Sequence, residues 1–223
     1  MNENIRNPFN RNQRLYNQAT FQGVPLWKQH GPYSEQHLHA LLRTFKSALD
    51  DHPRTLAVRF DLKVPVAGMP VSAKTPMERF ISSVQERINT KIKQKQKQGK
   101  RWHPCNVRYV QKVEQTPDAV HEHYHVVLFV NNDMFMRVGH LGPGDNSELA
   151  VIIREAWHNV VGVSEYTTEC LIHGSTPSYY RLKGPLNYFD PDHQKALRHF
   201  SYLCKEKTTL YRRGRPAFTT SRK

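Results

Sequence analysis

Residues 121–130 read His-Glu-His-Tyr-His-Val-Val-Leu-Phe-Val, an imidazole-rich start running into five consecutive apolar residues. β-Branched and aromatic residues dominate the run, and side chains alternate across a strand, so His123 and His125 point to one face, about 7 Å apart along it. Two imidazoles so placed can share one metal ion. Alone, a His-x-His pair before an apolar run is the ordinary end of a core strand. Glu114 weakens that bland reading. Residues 106–115 also have strand character, and the turn around Thr116-Pro117-Asp118 is short enough for an antiparallel hairpin that brings the carboxylate beside the imidazoles. Two nitrogens and one oxygen leave positions open for water or phosphate oxygens, which suits Mg²⁺ or Mn²⁺ used as a Lewis acid. A structural zinc site would instead close its shell with four ligands. His121, at the turn, reads as solvated.

Outward from this hairpin the chain alternates element types. Before it, Thr55–Val64 (TLAVRFDLKV) places Leu56, Val58, Phe60 and Leu62 on one face and Arg59, Asp61 and Lys63 on the other, a strand pattern. Thr75-Pro76-Met77-Glu78 then combines an N-cap, Pro at the first helical position and Glu at the third, ahead of the stripe Phe80, Val84, Ile88, Ile92. After the hairpin, Asp145 with Glu148 resembles a capping box for a helix that ends at Gly162, and a short strand is expected near Cys170–His173. Asp190-Pro191 caps a helix expected to run to about Lys205, and an earlier helix starts after Ser34 and closes at His52-Pro53. From Thr55 the order is βαββαβ. This predicts an α+β, ferredoxin-like (RRM-like) antiparallel sheet with the first and third strands central. Helices are expected on one face, the active site on the open face, and extra helices at the N- and C-terminal ends. Residues 1–33 read as a disordered or extended basic arm, 34–208 as the domain, and 209–223 as a basic tail.

Lys and Arg number 33 against 19 Asp and Glu, leaving +14 over 223 residues. Such an excess attracts polyanions and makes binding to nucleic acid salt-sensitive. Lys91, Lys93 and Lys95 at a helix end, and Arg212, Arg213 and Arg215 in the tail, are candidate contacts to DNA phosphates. The longest apolar runs are five residues, far short of the roughly 20 that span a bilayer, and no signal-peptide core is visible, so a cytoplasmic protein without membrane contact is expected. Three cysteines without a CxxC pair support neither a disulfide framework nor a thiolate zinc site.

On the last helix Arg198, Tyr202 and Lys205 stand at i, i+4 and i+7 and so share a face. Seen alone this is an ordinary solvated face. Beside a metal site it has another use: a phenol with a pKa near ~10 becomes a nucleophile only next to a cation or an activated phosphate, and Lys205 could supply the charge or protonate a leaving oxygen.

RFDLKVP (Arg59–Pro65), KVEQ around Glu114, HYHVVLFVN (His123–Asn131), the AWHNVVG helix end and SYLCKEKT (Ser201–Thr208) together resemble successive landmarks of a known family. This is the filamentous-phage (inovirus) replication-initiation branch of the HUH endonucleases, found in prophages as the YagK/YfjJ-type C-terminal domain. The resemblance covers roughly Thr55–Thr208, with a weaker match in the Arg-rich tail. It implies rolling-circle initiation in a phage or prophage, by nicking and rejoining a single-stranded DNA origin or hairpin through a 5′-phosphotyrosine, with a host helicase and polymerase as partners. Tyr202 is implied as the single nucleophile, Lys205 as its motif lysine, and His123, His125 and the less constrained Glu114 as metal ligands; Arg198 would contact DNA. Two alternatives stay open on the residues alone. One is a non-catalytic ferredoxin-like DNA-binding regulator. The other is a single-strand RNA binder, which would want exposed aromatics where this chain has His123, His125, Val127 and Phe129.

Overall fold

The computed structural model describes residues 5–8, 10–115, 119–142, 144–164, 170–209, 211 and 215–221. Its order is α1 (Glu35–Asp51), β1 (Arg54–Lys63), α2 (Pro76–Lys97), β2 (Arg108–Glu114), β3 (His123–Asn131), α3 (Glu148–Val161), β4 (Ile172–Lys183), α4 (Pro191–Phe200) and β5 (Phe218–Thr220). The strands form one antiparallel sheet, ordered β4-β1-β3-β2-β5, so β1 and β3 lie inside it. No helix among the described residues is long and apolar enough to cross a membrane.

Local chemistry fixes the element boundaries. Ser34 caps α1 by accepting from the His37 amide, and Thr75 with Glu78 forms a complete capping box on α2. Asp190 accepts from the amides of Asp192 and His193 at the start of α4, while Gly162 ends α3 at φ 72°, a left-handed conformation that glycine adopts without strain. Asp145 does not cap α3. Its carboxylate instead accepts from the amides of Leu141 and Ser147, both at 2.9 Å, pinning the loop before the helix, and Ser147 occupies the N-cap position.

The sheet is covered on both faces. Leu56, Val58, Phe60 and Leu62 of β1 and Tyr124, Val126, Leu128 and Val130 of β3 pack against α2 and α3, where the Phe80 ring meets Phe60 and Trp157 edge-on. The opposite face, expected to be open, is roofed by α1 and α4: Val127 and Phe129 are 0% and 1% exposed, and Phe45 and Phe200 pack on Phe129. Apolar residues on that face demand cover, and the two flanking helices supply it. At the end of the sheet carrying His123 the cover thins, and that side chain keeps 27% of its surface exposed.

Three further expectations need correction. The arm before Ser34 is not loose from Leu15 onward: Leu15–Tyr16 pairs with Tyr33–Ser34, Thr20–Phe21 pairs with Val24–Pro25, and Phe21, Val24 and Leu26 are buried in the core under α1 and α4. The tail is likewise tied down where it is described, because Phe218–Thr220 adds an edge strand to β2. The strand expected near Cys170–His173 is twelve residues long and pairs along β1 with a register shift between Val58 and Phe60.

Candidate metal centre

The sheet register assembles this site. Asp61 lies opposite His125 on one side of β3, Lys112 lies opposite His125 on the other, and Glu114 lies opposite His123. All share the parity of Val127, so all project to the face that α1 and α4 cover further along. The ladder therefore places two imidazoles, two carboxylates and an ammonium in adjacent ranks.

Within this group His123 Nε2, His125 Nε2 and a Glu114 carboxylate oxygen lie within 4.8 Å of one another. Glu114 Oε2 is 3.2 Å from His125 Nε2 and 4.0 Å from His123 Nε2, and the two Nε2 atoms are 3.2 Å apart. Asp61 Oδ1 meets His125 Nδ1 at 2.5 Å, which fixes the ring and turns Nε2 inward. Burial alone would raise the Glu114 carboxyl. The hydrogen bond from His125 and the charges of His125, Lys112 and Lys205 outweigh it and hold Glu114 at about 2, ionised at neutral pH. Burial also depresses His125, but its bonds to Asp61 and Glu114 reverse the sign and raise it; His123, buried beside the charge of His125, is lowered. An ionised carboxylate and two imidazoles with convergent Nε2 atoms fit a divalent cation with open coordination positions.

Lys112 is 0% exposed, donates Nζ to the Lys205 carbonyl, and lies 3.7 Å from Glu114 Oε1. Desolvation lowers it to about 8 against the pull of Glu114. It both charges the underside of the cluster and anchors the turn that delivers the tyrosine.

That turn departs from the expected helix. α4 stops at Phe200, and Ser201–Cys204 tighten into a 3₁₀ turn. Arg198, Tyr202 and Lys205 consequently do not share one helical face. Arg198, exposed, stacks over the Trp27 ring at 4.1 Å. Tyr202 and Lys205 swing over the cluster: Lys205 Nζ donates to the Tyr202 hydroxyl and stands 3.2 Å from Glu114 Oε2, while the Tyr202 and His125 rings are 5.4 Å apart. One ammonium thus links phenol to carboxylate. Arg59 lies 4.7 Å above the Tyr202 ring, held by the His199 carbonyl at 3.0 Å, and His30 of the N-terminal segment meets the same ring edge-on at 4.9 Å.

Glu114, His123, His125, Tyr202 and Lys205 therefore converge as read from the sequence, and Asp61 joins them. Lys112 and Arg59 were missed, although each stands two residues from an acid of the cluster, Glu114 or Asp61, on the same strand face. His30 carries no signal in the sequence. The basic run on α2 does not belong to this site. α2 begins near Glu122 and Tyr124 and runs along the opposite face to the far end of the sheet, where Lys95 pairs with Glu148 at 3.3 Å and Lys91 and Lys93 share the same helix end. Arg215 is exposed beside β5, and Arg212 and Arg213 lie outside the described residues. His121 is engaged with the Val66 carbonyl at 3.0 Å.

Residues 16–221 match the model of the YagK/YfjJ C-terminal domain, and the chain belongs to that family. The match takes in the N-terminal segment from Tyr16 and α1, which lie outside the resemblance over residues 55–208 and its weaker continuation in the tail. Among its relatives in Escherichia coli strain K12 are uncharacterized protein YagK, 22% identical over 203 residues (87% of this chain, 94% of that protein), and uncharacterized protein YfjJ, 23% identical over 185 residues (78% and 88%). No solved structure matches the chain.

Proposed function

We propose that this protein is a metal-dependent, one-tyrosine DNA-nicking and joining enzyme of the HUH class that initiates rolling-circle replication of a phage or prophage. The strand order β4-β1-β3-β2 within the sheet and the βαββαβ core from β1 to β4 are consistent with the ferredoxin-like plan of that class. The observation that carries the reading is the convergence of the Tyr202 hydroxyl, Lys205 and the Glu114/His123/His125 triad.

Glu114, His123 and His125 would hold a divalent cation, Mg²⁺ or Mn²⁺, which would supply Lewis-acid polarisation of the scissile phosphate. Tyr202 attacks phosphorus with loss of its phenolic proton to solvent; the P–O3′ bond breaks, and the departing oxygen takes up a proton that Lys205 is placed to give. The products are a 3′-OH, which a host polymerase can extend behind a helicase, and a 5′-phosphotyrosine. The adduct keeps a transferable phosphoester, so a later 3′-OH can displace the phenol and reseal the strand without ATP. Arg59 and Lys205 flank the phenol with positive charge, which favours the transferring phosphoryl group.

Incubation with Mn²⁺ and tiled, end-labelled single-stranded fragments of the replicon that carries the gene tests this. The expected result is an SDS-resistant protein–DNA adduct on one fragment, lost in Tyr202→Phe while DNA binding persists. Binding to that DNA with no adduct on any fragment would replace the enzyme with a DNA-binding regulator.

A further inference from the structure

β3 begins at the metal centre with His123 and ends, about 26 Å away at ~3.3 Å per residue, at Asn131. There the chain turns: the Asp133 amide donates to Asn131 Oδ1 at 2.8 Å and the Met134 amide to the Asn131 carbonyl at 3.1 Å, and the turn carries Met136 and Arg137 out to the surface. α2 stops beside it at Lys97, and the Lys100 amide returns to the Lys95 carbonyl at 2.9 Å, which brings Arg101 and His103 alongside. With Arg54 of β1 and the first turn of α3, these segments border an open groove of about 670 Å³.

Charge sets this groove apart. Arg54, Lys95, Arg101 and Arg137 line it against the carboxylates of Asp133 and Glu148. Both carboxylates are already taken: Asp133 pairs with Arg54 at 2.8 Å and Glu148 with Lys95 at 3.3 Å. Arg101 and Arg137 are exposed and have no ion pair or hydrogen bond among the described residues. The excess continues past the rim. Arg181, exposed on β4, donates to the Met136 carbonyl at 2.8 Å, and the exposed Lys183 stands opposite Arg54 in the register. Cations gathered without counter-charges repel one another, and a polyanion laid across them removes that repulsion. Spread over four segments around an opening of this size, they match a row of phosphates. No Phe, Tyr or Trp ring lining the groove is exposed, Phe135 being 2% exposed, whereas single-strand binders pair their cations with rings on which bases stack. A duplex is also stiff over roughly 150 base pairs, so one seated at both ends of β3, a span of about eight base pairs at ~3.4 Å each, keeps its orientation with no contact between them.

We propose that this groove holds the phosphate backbone of double-stranded DNA, without regard to base sequence, as a second contact remote from the metal centre. The choice of DNA as the polyanion rests on the nicking reading, under which the duplex is the stem that flanks the nicked strand. The uncompensated charge of Arg101 and Arg137 does not rest on it.

The test is fluorescence anisotropy titration of the full chain in EDTA, so that neither nicking nor the metal enters, over a series of KCl concentrations. The probes are two duplexes of unrelated sequence, each about 16 base pairs or twice the span above, and a thymidine single strand of the same length. Arg101→Ala/Arg137→Ala should lower the slope of log K against log salt by about two on both duplexes, roughly one per lost phosphate contact, and leave the single-strand slope unchanged. Both side chains are exposed and unpartnered among the described residues, so thermal unfolding should not shift. Lys74→Ala/Lys195→Ala removes the same charge from exposed positions before α2 and on α4, and should keep the duplex slope. An unchanged slope in the arginine variant, an equal drop in the lysine variant, or an equal drop on the single strand overturns the proposal; the first of these would leave the groove to an acidic protein. A slope drop with no adduct in the nicking assay keeps the groove and removes the enzyme, and an adduct with an unchanged slope does the reverse.

Discussion

His37 ties three parts of the molecule together, and its protonation offers a quantitative test of that packing. From the first turn of α1 its ring stacks on Phe218 of β5, with centroids 4.2 Å apart and planes inclined by 11°, and its Nε2 meets Gln13 of the N-terminal segment at 3.1 Å. Burial, aided by the charge of Lys112, lowers its pKa from 6.5 to about 3. Between those values the unfolded chain binds a proton that the folded chain does not, so stability rises with pH through this window and is lost as pH falls below about 6.5. At pH 5 the unfolded imidazole lies about 1.5 pH units below its pKa, which at ~1.36 kcal/mol per unit is about 2 kcal/mol in favour of unfolding. Replacing His37 with Phe keeps a stacking ring and removes the proton site. Thermal unfolding at pH 7 and pH 5 should then show the wild-type loss shrinking by about 2 kcal/mol, or roughly 4–8 °C in Tm for a chain of this size. An undiminished loss in His37→Phe would refute the claim that α1 and the tail bury a neutral imidazole between them.

Asp61→Asn removes the charge that orients His125 and should weaken Mn²⁺ binding about 10- to 100-fold by calorimetry; an unchanged affinity would detach Asp61 from the site. Thr75→Ala deletes the capping box of α2 and should lower stability by about 1 kcal/mol in urea titration, with no effect if the helix starts elsewhere. Phe80→Ala empties the contact with Phe60 and Trp157 at a position with 0% exposure and should destabilise by about 3–5 kcal/mol; a loss below 1 kcal/mol would contradict the packing of α2 on the sheet.

How much of this was legible in the sequence follows from the range of each signal. Period-two alternation placed Arg59 and Asp61 on one side of β1 and His123 and His125 on one side of β3, and capping chemistry located the starts of α2 and α4; these are local properties and they held. Register is not local. The sequence could bring Glu114 near the hairpin, but that Asp61 and Lys112 both stand opposite His125 depends on which strands pair. Lys112 hid for a second reason: a lysine in a basic chain reads as solvated, whereas this one is buried under a carboxylate. The roof over Val127 and Phe129 was missed because α1 and α4 looked like appendages, although the apolar residues beneath them required a partner. The N-terminal segment was missed because Phe21, Val24 and Leu26 pack without any repeating period. β4 escaped because Gly174, Ser175 and Pro177 interrupt its pattern, and pairing with β1 carries the strand through them. The turn at Ser201–Cys204 tightens after a sequence that continues to look helical, and that tightening sets Tyr202 over the imidazoles.

The central claim is that a divalent cation on Glu114, His123 and His125 sits against the Tyr202 phenol. Paramagnetic broadening reads it directly, using ¹³C-labelled tyrosine and Mn²⁺ added below one equivalent. The Tyr202 ring signal, assigned through Tyr202→Phe, should be the first of the ten tyrosines to disappear, and should survive in Glu114→Ala/His123→Ala. A Tyr202 signal that stays sharp while Mn²⁺ binds, or broadening that persists without those two ligands, would contradict the account.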